Sequence, residues 1–172
     1  MRRIKTSFDK KKYSLSDLLV AVSKWKNQGL NICFTNGCFD ILHLGHVSYL
    51  SSAAELSDIL VVGVNSDRSV RALEKAPNRP VNNESQRALI VASLESVDAV
   101  VVFDEDTPLD LISKIMPNVL VKGGDYDPHQ EKSDHPKYIV GRKEVIDNGG
   151  EVKTIELVEG FSTTNIIHKL KG

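Results

Sequence analysis

Three apolar runs constrain the fold of this chain more than anything else in it: residues 58–64, 97–103 and 118–122. Each has the length of a β-strand and is rich in valine. None shows the clean polar–apolar alternation of a strand with one wet face. Near-continuous runs of this kind mark parallel strands covered on both sides.

The stretches between and around them carry helical patterning. Residues 14–26 place Leu18, Ala21, Val22 and Trp25 on one stripe, opened by a capping-box pair, Ser14 and Asp17, and stopped at 27–29. A β-prone run at 31–35 leads into the Asn36-Gly37 turn. A helix is expected from about 46 to 56, with Val47, Leu50 and Ala54 inward, and a short one over 66–73. Residues 74–81, with Pro77 and Pro80, read as a loop. Asn83 and Gln86 form a second capping box, predicting a helix to Glu95 with Leu89, Ile90 and Leu94 inward. Thr107, Pro108 and Asp110 start another helix that ends before Pro117. An exposed polar loop over 127–137, a helix over 138–147, a strand over 151–157 and a helix over 165–170 complete the chain.

Strands therefore alternate with helices. This predicts a doubly wound α/β fold, a mostly parallel sheet with helices on both faces. One core accommodates 172 residues, so the expectation is a single domain over 1–172 with residues 1–13 as an N-terminal extension. Neither a repeat nor a linker interrupts it. Apolar residues at 41%, charged residues at 26% and a net charge of −1 are ordinary for a soluble protein and carry no general nucleic-acid or membrane signature. The basic start, Met1 to Lys5, is not followed by an apolar segment, which argues against a signal peptide and for the cytoplasm. Cys33 and Cys38 belong to no CxxC and read as reduced structural thiols.

Ligands of such folds bind beyond the C-terminal ends of the strands. The segment 34–46 lies there. It contains Thr35-Asn36-Gly37-Cys38-Phe39-Asp40 and then His43-Leu44-Gly45-His46 at a helix start. Backbone N–H groups in that turn suit a triphosphate, and two imidazoles at this spacing suit charge developing on a phosphoryl group. Gly45 permits close backbone approach. No carboxylate or third histidine stands at ligand spacing nearby, so no protein metal site is expected. Asn65-Ser66-Asp67, 123–126 and 162–164 also follow strands and converge on the same rim. Arg79 and Arg87 are candidate phosphate clamps, since guanidinium binds phosphate bidentately. Lys122 is a candidate for acceptor phosphate, and Asp40 for orienting the loop or a histidine. Ser162, Thr163 and Thr164, at the start of the last helix, form a candidate anion site. Arg68, Arg71, Lys75, His129, His135 and His168 read as solvated surface groups.

The segment 35–46 resembles the signature of the HIGH-type nucleotidyltransferase superfamily, in its cytidylyltransferase-like branch, with Leu44 where isoleucine is usual. In order along the chain, Asn65 to Val70, Arg79-Pro80-Val81, Arg87, Lys122 to Tyr126 and Gly160 to Thr164 extend the likeness to the bacterial heptose 1-phosphate adenylyltransferases, over roughly residues 14–172. The resemblance implies a Rossmann-like fold and transfer of AMP from ATP to D-glycero-β-D-manno-heptose 1-phosphate for lipopolysaccharide core synthesis. It implies a form without an attached sugar kinase, with His43 and His46 stabilising the transition state at the α-phosphate. Residues 35–39, Gly45, Arg87 and 162–164 would meet the nucleotide phosphates, and Gly123, Asp125 and Tyr126 the base and ribose. Asp40, Asn65, Arg79 and Lys122 are weaker substrate contacts. Mg²⁺ would enter with ATP, and a homodimer is implied at family level. A glycerol-3-phosphate-type cytidylyltransferase and a non-catalytic nucleotide-binding module remain alternatives.

Overall fold

The apolar runs are strands of a six-stranded sheet whose pairings are all parallel. A computed structural model describes residues 8–73, 79–158, 160–161 and 163–170. In chain order the elements are β1 (Lys12–Tyr13), α1 (Leu15–Asn27), β2 (Ile32–Gly37), α2 (Leu44–Ala54), β3 (Ile59–Asn65) and α3 (Asp67–Ala72). They continue with α4 (Glu84–Ala92), β4 (Ala99–Phe103), α5 (Leu109–Ile115), β5 (Val119–Gly123), α6 (Arg142–Asp147), β6 (Glu151–Ile155) and α7 (Thr163–Leu170). Residues 8–13, the described part of the expected N-terminal extension, lie along the sheet edge. A 3-10 turn at Phe8–Lys11 leads into β1, which pairs with β4 and covers that edge.

Strand residues alternate between two cores, which is why the runs are apolar throughout. Leu60, Val62 and Val64 of β3 pack with Leu50 and Ala53 of α2 and Ala88, Val91 and Ala92 of α4. On the other face Val61, Phe34, Val101 and Leu120 pack with Leu18 and Val22 of α1, Leu111, Ile112 and Ile115 of α5, and Val145 of α6. Fully burying one such aliphatic side chain stabilises the fold by about 1.5–3 kcal/mol.

The strand order is β1-β4-β3-β2-β5-β6. The chain winds outward from β2 through β3 to β4, then returns to the other side of β2 for β5 and β6. The order thus reverses between β2 and β5, and their C-terminal ends splay around a crevice. The opposite ends are pinned by side chains just ahead of each neighbouring strand. Asn31 N–H donates to Asp58 (2.8 Å), Leu60 N–H to Asp98 (2.8 Å) and Ile32 N–H to Asn118 (2.9 Å). These bonds fix register away from the crevice.

Several local expectations are corrected. The inner face of α4 is Arg87, Ala88, Val91 and Ala92, while Ile90 is exposed. A helical stripe read one position out turns about 100° away from the core. Val47 of α2 is likewise exposed, and Leu50 with Ala53 points inward. The α2 helix begins at Leu44 and not His46, which puts His43 at the N-cap. The helix expected over 138–147 starts only at Arg142, because Gly141 has φ +87° and its Cα lies against Ile112, where a Cβ would come within 2.7 Å. The Asn83–Gln86 capping box forms both of its bonds, at 2.9 and 3.2 Å. At α1 only half a box forms. Ser14 caps Asp17 N–H at 3.1 Å, while the shorter Asp17 side chain takes the Ser14 hydroxyl at 2.7 Å. Among the described residues no helix is long and apolar enough to cross a membrane.

Candidate functional site

The crevice is a cleft of about 650 Å³ over the C-terminal ends of β2, β3 and β5. Its floor is the turn after β2, and that turn is held by a buried polar network. Phe39 takes φ +48°, rare for a bulky residue. Asp40 is buried and accepts from Arg79 Nε (3.0 Å), Val81 N–H (2.7 Å) and Asn82 N–H (3.1 Å). Its own carbonyl accepts from Asn82 Nδ2 at 2.7 Å. Arg87 is fully enclosed. It donates through Nε to Asn82 O (2.9 Å), through Nη1 to Cys38 O (2.6 Å) and through Nη2 to Asp67 Oδ1 (2.7 Å).

Arg87 departs from the expected phosphate clamp, because all three guanidinium nitrogens donate to the protein. Asp40 takes the loop-orienting role among those expected of it and holds the 79–82 segment. Thr35 departs from the expected phosphate contact. It is fully buried, with its hydroxyl 2.7 Å from that of Tyr49, behind the cleft wall.

The histidines stand above that turn. His43, in extended backbone at the N-cap of α2, makes no side-chain capping bond, so its ring is released to the cleft. Its carbonyl accepts from His46 N–H at 2.9 Å. The two imidazoles stack, with centroids 3.8 Å apart and planes 23° apart. The Phe39 ring supports His46 from 5.3 Å. Gly45 lies under His43, where a Cβ would sit 3.1 Å from the ring and 3.3 Å from Phe161. Nδ1 of each histidine is buried without a hydrogen-bond partner in the protein. Burial lowers the proton affinity of both rings. For His46 the pKa falls to about 4, through burial first and then the neighbouring His43 and Arg79. At neutral pH the pair is uncharged, and each ring carries one N–H donor.

The lowered proton affinity also bears on stability. The unfolded chain binds a proton at position 46 near pH 6.5, the folded one only near pH 4. Between these values the unfolded state holds more protons, so stability falls as pH drops through the window. Melting temperatures at pH 7 and pH 5 should differ less in His46→Gln than in the parent protein; an equal difference refutes the assignment.

The remaining candidates divide by element. The end of β2 brings Asn36 and Gly37 to the cleft, followed by Cys38 and Phe39. Asn65 enters from β3, its Nδ2 bound to Ser69 Oγ at 2.9 Å. The end of β5 supplies Lys122 and Gly123, followed by Asp125 and Tyr126. Lys122 Nζ donates to Asn36 Oδ1 at 2.7 Å and lies 5.5 Å from the Tyr126 ring centre, which bridges β2 and β5 across the switch point. Arg79 lies at the opposite wall, and Thr163 at the first residue of α7. Ser162 and the Thr164 side chain lie outside the described residues, as do Lys75, residues 1–7 and the His168 side chain; the 74–81 loop is described only from Arg79. Both cysteines are free, and burial pushes the Cys33 thiol up to about 12. Arg68 pairs at the surface with Asp104 and Asp106.

Sequence reasoning missed part of the wall. Tyr49 and Tyr138 line it, with Thr107 and Pro108 after β4 and Leu157 and Val158 after β6. The signal for the last four was the rule already applied to other strands, that segments following a parallel strand face the crevice. Among the described residues no group of three or more His, Cys, Asp and Glu side chains is placed to hold a metal ion.

Residues 34–169 match the family model described as cytidylyltransferase-like. The chain belongs to the cytidylyltransferase-like family, and by family it is a nucleotidyltransferase. Among curated relatives, it is 54% identical over 157 residues to the bifunctional protein HldE of Methylobacillus flagellatus, matching 91% of this chain. It is 52% identical over 168 residues to that of Campylobacter fetus, matching 98% of this chain. The chain spans only 30% and 33% of those two proteins. Among solved structures, the lipopolysaccharide core biosynthesis protein of Thermoplasma volcanium is 27% identical with a TM-score of 0.58, over 76% of this chain and 98% of that one. Pantothenate synthetase of Thermus thermophilus, 15% identical with a TM-score of 0.60 over 91% of this chain and 67% of that one, shares the fold.

Proposed function

We propose that this chain is an adenylyltransferase that joins ATP to a sugar 1-phosphate, D-glycero-β-D-manno-heptose 1-phosphate, releasing pyrophosphate and an ADP-sugar. The observation that carries the reading is the stacked histidine pair at the switch-point crevice. An oxygen of the acceptor phosphate forms a bond to the α-phosphorus as the bond to the pyrophosphate oxygen breaks, and the electron pair leaves with pyrophosphate. No proton need be removed from an ionised phosphate and no covalent enzyme intermediate forms. The protein's task is positioning and charge stabilisation. Neutral imidazole N–H groups donate to non-bridging oxygens as charge builds, and the first turn of α2 adds backbone donors.

The heptose acceptor and the lipopolysaccharide setting rest on the sequence resemblance, supported by the likeness to the lipopolysaccharide core biosynthesis protein of Thermoplasma volcanium. Mg²⁺ would arrive bound to the triphosphate, in a cytoplasmic enzyme; the described residues form no cage that calls for a resident ion.

Pyrophosphate release with ATP or CTP, each paired with heptose 1-phosphate or glycerol 3-phosphate, tests the reading. Turnover is expected only for ATP with the heptose phosphate. Release with CTP and glycerol 3-phosphate would replace it with the cytidylyl alternative, and nucleotide binding without any turnover would make the chain a binding module.

A further inference from the structure

The cleft has unlike halves on either side of the histidine pair. Beyond β5 and β6 the wall carries the aromatic and apolar groups Tyr126, Tyr138, Val140 and Leu157, with Lys122 and Asp125 at its inner edge, a surface suited to a nucleobase and its ribose. Beyond β3 and β4 it carries Asn65, Thr107 and the guanidinium of Arg79 beside Leu73, Asp106 and Pro108, chemistry suited to a hydroxylated, phosphorylated acceptor. We propose that Arg79 receives the phosphate of the acceptor sugar and that buried Asp40 is the positioning residue that holds the guanidinium toward it. This inference rests on the sugar 1-phosphate reading of the site.

The geometry favours a fixed cation. Asp40 Oδ2 accepts from Arg79 Nε at 3.0 Å, with the Asp40 side chain 0% and the Arg79 side chain 11% exposed. Asp40 Oδ1 is at the same time held by Val81 and Asn82 N–H, so the carboxylate cannot swing. Nε is the inner edge of the guanidinium. Its two Nη groups are the ones that meet a pair of phosphate oxygens, and a guanidinium preset by one bond loses less entropy on making the others. Arg79 stands near enough to the reacting centre for its charge to be felt at His46. With a nucleobase in the aromatic half, the acceptor takes the half that Arg79 occupies, and its phosphate then faces the α-phosphorus across the histidines.

Steady-state kinetics of the purified chain test this, with ATP and heptose 1-phosphate varied separately. Wild-type turnover comes first; if there is none, the reading of the reaction falls and the inference falls with it. Given turnover, Arg79→Ala should raise KM for the acceptor about 10- to 100-fold and leave KM for ATP within about threefold. Arg79→Lys should recover only part, since one ammonium cannot both bind Asp40 and fork onto phosphate. Asp40→Asn keeps an oxygen for Val81 and Asn82 but removes the charge facing Arg79. It should shift the acceptor KM in the same direction, and the Asp40→Asn/Arg79→Ala double variant should be no worse than Arg79→Ala alone. A rise in KM for ATP with the acceptor KM unchanged overturns the proposal, as do additive effects of the two substitutions. If Asp40→Asn fails to fold, the two Arg79 variants decide the matter.

Discussion

Replacing His46 with alanine should lower kcat by about 10²-fold or more while nucleotide affinity stays within a few-fold. The asymmetry follows from the state of the ring. An uncharged imidazole attracts a ground-state triphosphate weakly, so its removal costs little binding. On the proposed mechanism its N–H matters as negative charge accumulates on the oxygens of the α-phosphate. The ring is preorganised for that moment by stacking at 3.8 Å on His43 and by Phe39 at 5.3 Å, so little rearrangement is needed during the reaction. Rapid-quench turnover with separate titration of ATP binding distinguishes the cases. An unchanged kcat removes His46 from the mechanism, and a loss confined to ATP binding makes it a ground-state ligand.

Arg87→Ala should destabilise the fold by about 3–5 kcal/mol, the usual consequence of removing one partner of a buried charged network. For a chain of this size the melting temperature should drop on the order of 6–20 °C. The substitution leaves Asp67 without its 2.7 Å partner and strips a charged donor from the carbonyls of Cys38 and Asn82. The Cys38 bond also holds the turn that carries Phe39, so activity should fall with stability. A phosphate clamp would behave otherwise, with an unchanged melting temperature and a raised nucleotide KM. Thermal unfolding of the variant with and without ATP separates the two.

The histidine turn was legible because its parts are local. His43, Gly45 and His46 are near neighbours in sequence, the glycine is dictated by the ring above it, and the strand before them is marked by its own apolar run. The capping box at Asn83 was legible for the same reason. The two arginines were not. Arg79 and Arg87 present the same chemistry in sequence, yet one faces the cleft and the other is sealed in the core. Val47 and Ile90 show the matching limit for apolar residues, since a helical stripe is defined only to within about one 100° step.

Apolar periodicity and short-range backbone geometry are enough to specify the alternation of buried parallel strands and helices, the rim at the C-terminal strand ends and the histidine pair placed there. They do not specify which polar side chains are free for a substrate, and packing alone settled that. Arg87 finds its partners 49 and 20 residues away in the chain, and Asp40 finds Arg79 at a separation of 39. A buried charge is stable only when such partners enclose it, and that enclosure exists only once β2, β3 and α4 have packed together.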